Sequence, residues 1–587
     1  SAAVTVGTGG VLNLQGFNDT VGTLLLRGAL NGTGTLTAGS YSLSNGTVNA
    51  NLGTGLLINI GGTSTLNGTS AASTAWVQAG TLHLGASERL SDAAMLSVSS
   101  GATLDLQGYD ETVGVAWLNG MLNSSVLLPS PLAGDAGDGP QAALLPTGTG
   151  TLTAAEYYLD GALINANLGA GSLFNTGGVS TLNGTSAAGI VTVQAGTLRL
   201  GQSDRLADTA MLSVSSGATL DLMGNDETVA LAVINGTLNT NPLAVPAVTP
   251  PSGEATVAFS PAPVGTGTLT AIEYQLNGAT VNANLGSGSL FNLGGVSTLN
   301  GTAAAEEVVV QAGTLRLGQS DRLADGATLR VWTDATLDLM GNDETVALAY
   351  LNGTLDSTVS LPSPDADPAQ VIPALNVNAK GADGPLTIPV PTGTGTLTAT
   401  QYVLNGATIN ANLGSGSLFN AGGTSTLNGT AAAGSVSVQA GTLALGASDR
   451  LADTAMVSVS TGATLDLNAF SDTVDLVLLN GTLDGTGTLT AAQYQLTGAT
   501  VNANLGAGSL FNLGGGSTLT GAAAATSVSV QAGTLALGAS DRLADTATVS
   551  VSSGATLDLN GFSDTVDLAL LNGSLAGTGT LTAAQYQ

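Results

Sequence analysis

Apolar and polar residues alternate one for one through most of this chain. In VSVQAGTLALG (528–538) and VSVSSGATLDL (549–559), Val and Leu alternate with Ser, Thr, Ala or Asp. A period of two belongs to a β-strand with one buried face and one solvated face. Between the alternating runs stand AG, SG, NG and GG pairs, which supply positive φ cheaply and mark tight turns. No long stretch carries apolar residues at the i, i+3, i+4, i+7 spacing of an amphipathic helix. The most helix-like segment, ASDRLADTA, is short enough to be a turn held by local side-chain bonds. The pattern predicts many short strands joined by tight corners.

The alternation itself repeats. The segment ERLSD, later DRLAD, recurs with its arginine at Arg89, Arg205, Arg322, Arg450 and Arg542. The first three intervals are longer than the last because each holds an extra stretch at one point, between an LNGxL or INGxL turn and GTGTLTA. Those stretches are 124–147, 240–264 and 357–392, and removing them leaves a constant period of 92 residues. A fixed period with insertions confined to one point implies stacked copies of one supersecondary unit. The copies are 1–92, 93–208, 209–325, 326–453, 454–545 and a truncated 546–587. Within each copy, weaker echoes recur at roughly 17–20 residues, about five per copy, which is the length of a solenoid coil rather than a propeller blade.

The expected fold is therefore all-β: a right-handed parallel β-helix (β-solenoid) of about 27 coils, five to each repeat, forming a single body. The hand follows the preference of parallel crossovers. Proline supports this independently, since all 17 prolines fall inside the three insertions. A coil that bonds to the coils above and below would lose a ladder bond to proline. The insertions are expected to be Pro-rich loops outside the ladder.

Composition narrows the function classes. Gly numbers 83 of 587 residues, charged residues are only 9%, and the apolar fraction is 43%, which is too apolar for a disordered chain. The net charge of −30, from 40 acidic and 10 basic residues, excludes the clustered Lys and Arg of a nucleic-acid interface. It also argues against docking on anionic membranes. There is no cysteine, which fits a chain that crosses an outer membrane unfolded, and no apolar run reaches the 18 residues of a membrane-spanning helix. The first residues, SAAVTVGTGG, lack the charged and apolar regions of a signal peptide. The last, AAQYQ, fall part-way through a repeat, so the expectation is a window of a longer protein.

Candidate chemistry is sparse. Carboxylates recur with the repeat: Asp105, Asp221, Asp338, Asp466 and Asp558 in TLDL, and Glu111, Glu227, Glu344, Asp472 and Asp564 before TV. A paired acid and base of a glycan hydrolase is one reading. An active site normally occurs once per chain, so the favoured expectation is that these groups point outward from strands or close turns. No calcium nonapeptide or EF-hand loop is present, and no metal or other cofactor is expected. In DRLAD, the arginine is expected to neutralise the adjacent aspartates at an exposed corner. His83 is the only histidine, so neither a zinc site nor a catalytic triad can be assembled. Tyr41, Tyr157, Tyr274, Tyr402, Tyr494 and Tyr586 share one repeat position and are expected to fill the core or a corner. The Asn residues of VNANLG could form ladders or sit in turns. The expected partner contacts lie on the insertions, whose exposed apolar runs include Val126, Leu127 and Leu128, and Leu386, Ile388 and Val390.

At VQAGTLxLG (77–85, 193–201, 438–446 and 530–538) the chain resembles the autotransporter-associated β-strand repeat. The surrounding Gly-, Thr- and Asn-rich alternation is similar to the passenger regions of large Gram-negative adhesins, including the filamentous-haemagglutinin type. The resemblance implies a right-handed β-helix, secretion through an outer-membrane transporter, and adhesion or biofilm scaffolding at the cell surface or in a secreted matrix. It supplies no catalytic residues. The functional expectation is a non-enzymatic adhesin stalk meeting host, sibling-cell or matrix surfaces, glycan or protein, with homotypic lateral or end-to-end association as a further option. A self-assembling structural filament or sheath subunit is the alternative, and a β-helix polysaccharide-degrading enzyme a third.

Overall fold

The computed structural model describes residues 2–125, 149–240, 266–358 and 394–587.

 
All 17 prolines fall in the three stretches between them. The described chain forms two compact units: Ser1–Leu290 with Asn300–Ala304, and Phe291–Leu299 with Ala305–Gln587. Each is a parallel β-solenoid. Among the described residues every regular element is a strand and no helix occurs, so ASDRLADTA is indeed a turn.

The alternation of the sequence becomes a stack of inward-facing side chains. In the first unit, Leu24, Tyr41, Leu57, Ala75, Leu96 and Ala116 are successive parallel partners, one per coil. All six are buried. In the second unit the row runs Val436, Val457, Val477, Tyr494, Leu510 and Val528. Those partners are 21, 20, 17, 16 and 18 residues apart, so five unequal coils carry the chain from Val436 to Val528. A parallel ladder demands equal strand register but not equal corners, and the inequality is absorbed at the corners.

The tightest corners are built by tyrosine. The Tyr402 hydroxyl accepts a hydrogen bond from the Ala399 N–H (2.8 Å) and donates to the Leu397 carbonyl (3.0 Å), and the side chain is fully buried. Tyr41, Tyr157, Tyr274 and Tyr494 repeat this pair of bonds. A buried aromatic thus fills a short coil and satisfies a corner amide at once. Burial pushes the Tyr157 hydroxyl up to about 12, which keeps it a neutral donor. The expectation that these tyrosines fill core or corner holds for both at these five positions; Tyr586 is more than half exposed.

Of the two uses left open by the sequence, asparagine takes the bonds between coils. Asn67 Nδ2 donates to Asn49 Oδ1 (2.6 Å), and Asn49 Nδ2 to Asn31 Oδ1 (2.7 Å), forming a ladder across three coils. The second Asn of VNANLG also bonds across coils: Asn51, in the strand Asn51–Leu52, accepts at Oδ1 from both the backbone N–H (3.1 Å) and the hydroxyl (3.0 Å) of Thr69 in the next coil.

Candidate functional site

Among the described residues, carboxylates recur with every repeat, so their geometry decides what the body can do. Glu88 opens the ERLSD turn with a φ of 56°, in the left-handed region. The turn leaves the N–H groups of Arg89 and Leu90 directed at the next coil. Glu111 receives them: Oε2 accepts from Arg89 (2.7 Å) and Oε1 from Leu90 (2.9 Å). Glu227 and Glu344 bind the equivalent amides of Arg205 and Leu206, and of Arg322 and Leu323. Asp472 and Asp564, one methylene shorter, take both amides on a single oxygen, Oδ2. The side chain therefore replaces a missing backbone acceptor, once per repeat.

This corrects the expectation of outward-facing carboxylates. Glu111, Glu227, Glu344, Asp472 and Asp564 are all buried, Glu111 to 1% exposure. Burial pushes each glutamate up to about 7, against the opposing pull of its backbone amide donors. It raises Asp472 and Asp564 in the same direction. The arginine reading is corrected too. Arg89 Nε donates to the Ser87 carbonyl (3.0 Å) and NH1 to the Asn67 carbonyl (2.7 Å). Arg205, Arg450 and Arg542 make the same two kinds of bond. The guanidinium ties a corner to the preceding coil through carbonyls, and does not serve chiefly to neutralise the neighbouring aspartates.

The TLDL aspartates do close turns. Asp105 Oδ1 accepts from the Gln107 N–H (2.9 Å), and Asp221, Asp338, Asp466 and Asp558 bond the residue two places on in the same way. That residue has positive φ in every copy: Gln107, Met223, Met340, Asn468 and Asn560. The carboxylate holds a left-handed backbone that a non-glycine residue adopts at a cost. On the strand face, Arg199 and Arg316 of the preceding coil lie 3.7 and 3.4 Å from Asp221 and Asp338. His83 Nε2 lies 3.9 Å from Asp105, and its Nδ1 is 2.7 Å from Gln107 Nε2. These side chains form part of a cross-coil row, with Arg199 directly opposite Asp221 and Asp221 opposite Asn239.

The insertion stems depart from the sequence reading. Ser124, Thr240 and Ser357, taken from the sequence as the first residues of the loops, belong to the body and are buried. Ser357 Oγ accepts from the N–H groups of Gly341 and Gly395, both at 3.1 Å. Ser124 does the same for Gly108 (3.2 Å) and Gly150 (3.0 Å), and Thr240 accepts from Gly267 (3.1 Å). Copies without an insertion place a glycine here, Gly32, Gly485 or Gly577, with φ of 114°, 106° and 94°. A Cβ on Gly485 would approach the Asn468 carbonyl oxygen to 2.5 Å, so only glycine fits.

A deletion tests this equivalence. Removing 357–392 joins Asp356 to Gly393 and recreates LDGTGTLTA, the sequence at 483–491. The expected outcome is unchanged far-UV circular dichroism and a melting temperature within a few degrees of the parent, because loop removal changes closure entropy only slightly. A large drop in melting temperature would show that the stretch is part of the core.

The six apolar positions expected to contact partners, Val126, Leu127, Leu128, Leu386, Ile388 and Val390, lie outside the described residues. Among the described residues, no group of three or more His, Cys, Asp or Glu side chains is placed to hold a metal ion. What the sequence reading missed is an outward apolar strip in the first unit, legible in principle as large residues at the solvent-facing places of the alternation. The geometry defines a β-solenoid repeat protein. No family model, no curated protein and no solved structure matches the chain.

Proposed function

We propose that this protein is a non-enzymatic stalk of a bacterial surface or biofilm-matrix adhesin, which spaces and presents contact surfaces outside the cell. The observation that supports this reading most is the use made of the recurrent polar groups. Glu111 and its counterparts cap backbone amides, Asp105 and its counterparts close turns, and the arginines tie coil to coil. Side chains spent on holding corners serve rigidity and are not free for turnover. A scaffold built this way suits weak contacts repeated along a surface.

The reading is tested by measuring adhesion to glycan, protein and abiotic surfaces for the intact chain beside a variant lacking 124–147, 240–264 and 357–392 together. Surface binding by the intact chain with no turnover of glycans is the expected result, with most of the binding lost in the variant. Binding that survives the deletion moves the contact surface to the solenoid body. Turnover of a polysaccharide by the purified protein overturns the stalk in favour of an enzyme. Long uniform fibres in electron micrographs overturn it in favour of a filament subunit.

A further inference from the structure

The outward face of nine consecutive coils in the first unit is apolar where a solvated β-face is normally polar. These coils run from the strand Leu56–Leu66 to the strand Glu227–Ile234, each paired with the next. Two side chains per coil point outward from this face, the partners of Leu56 and of Ile58. The first row is Leu56, Thr74, Met95, Val115, Glu156, Ser172, Ile190, Met211 and Leu231. The second is Ile58, Trp76, Ser97, Trp117, Tyr158, Phe174, Thr192, Ser213 and Val233. Each coil contributes at least one large apolar or aromatic side chain. Met95, Trp117, Ile190 and Met211 are each more than 40% exposed.

The centre of the strip is ordered. Trp117 stacks on Tyr158 with ring centroids 4.1 Å apart, and Tyr158 stacks on Phe174 at 5.3 Å. Stacking hides ring faces and leaves ring edges outward, which disfavours a sugar-stacking platform and favours a flat apolar contact. The fold does not require these residues. Ser437 and Ser529 occupy the place of Trp76 in later copies, and Gln275 and Gln495 the place of Tyr158.

We propose that this strip is a self-association surface, and that its occupant is the same strip of a second copy of the chain. Charge selects that partner. With 40 acidic and 10 basic residues, two copies repel wherever their charged faces meet. Over these nine coils the two outward rows hold one charged residue, Glu156, whose carboxylate accepts a hydrogen bond from Tyr158 (2.7 Å). It is a face on which two copies can meet without like charges opposed, and its aromatic and large apolar side chains set it apart from the Ser- and Gln-bearing rows at the same places in later coils. The area suffices. Nine coils ~4.8 Å apart, each with a four-residue strand ~13 Å long, make a strip of ~560 Å², so two copies bury ~1,100 Å², just above the ~1,000 Å² of a specific interface. An isologous pair across a two-fold axis closes on itself and yields a dimer. The inference does not rest on the adhesin reading.

Sedimentation velocity on the intact protein tests it. The expected result is a reversible dimer in the micromolar range that tightens as salt screens the net charge. Trp117→Glu is expected to weaken the dimer at least tenfold, and Trp76→Ser with Tyr158→Gln, which use residues the fold already accepts at those places, to weaken it comparably. Far-UV circular dichroism should match the parent for both variants. A protein that stays monomeric to ~100 µM, where an interface of this size should be occupied, overturns the proposal. So does a dimer that the variants leave intact, or one that salt dissociates.

Discussion

Changing Val551 to proline is expected to unravel several coils around residue 551 while leaving distant coils folded. Val551 is fully buried in the strand Thr548–Val551 and pairs with Val530 on one side and Leu571 on the other. Its carbonyl accepts the Asn572 N–H at 2.9 Å. Proline removes the residue's own N–H from the ladder and sets its ring against the neighbouring backbone, at ~3 kcal/mol or more. In a stack where each coil touches only its neighbours, that loss also weakens the two adjoining interfaces. Amide hydrogen exchange should show protection lost from about residue 527 to residue 587 and kept near Val436, Val457 and Val477. Uniform protection across the variant would mean that the ladder is not what holds the coils. Val551→Ala, which keeps the N–H and loses only methyl groups, should cost no more than ~2 kcal/mol.

Raising the pH through neutrality is expected to loosen the corners at Arg89, Arg205 and Arg322. Glu111, Glu227 and Glu344 are held at about 7 by burial, against an ordinary value of 4.5. A folded-state value above the unfolded one means that the folded protein binds the proton more tightly. The stabilisation is full below pH ~4.5 and is lost as the pH rises through about 7, at up to ~3 kcal/mol for each glutamate. Asp472 and Asp564 are raised by the same cause and shift their corners the same way. Hydrogen exchange, corrected for its intrinsic pH dependence, should show the amides of Leu90, Leu206 and Leu323 better protected at pH 5 than at pH 8. Glu227→Gln should flatten the response at Leu206 alone, with a constant loss of stability because the neutral amide offers one acceptor oxygen in place of two. A flat profile in the parent protein would place these carboxylates in contact with water.

The fold was legible because a solenoid writes its physics locally. Strand period, turn glycines and the exclusion of proline each depend on residues close in sequence, and each points to the same coil. The corners were less legible. Glu111 looks like any surface acid until the chain is folded, because the amides it caps, those of Arg89 and Leu90, lie about 20 residues earlier. The arginine had the same difficulty: adjacent aspartates in DRLAD suggest ion pairing, whereas the bond that matters reaches a carbonyl 22 residues back, as from Arg450 to Asn428. Asp105 was easier to place, since its turn bond to Gln107 spans two residues. The apolar strip escaped notice for a further reason. Each large outward residue belongs to a different coil, and only the register brings Trp117, Tyr158 and Phe174 into one stack.

The hydroxyl stems at Ser124, Thr240 and Ser357 have a bearing on how such a chain changes over time. Each stem exchanges one residue, a left-handed glycine, for a serine or threonine whose side chain bonds the same corner from within. The coil is then indifferent to what is spliced beyond it, because the seam is sealed on the body side. Lengths of 24, 25 and 36 residues are accommodated at one and the same seam. Differences in length between the repeats of this protein therefore fall at the seams, while the coils keep their period. The same property makes Asp484 and Gly485 a natural port for grafting a foreign loop.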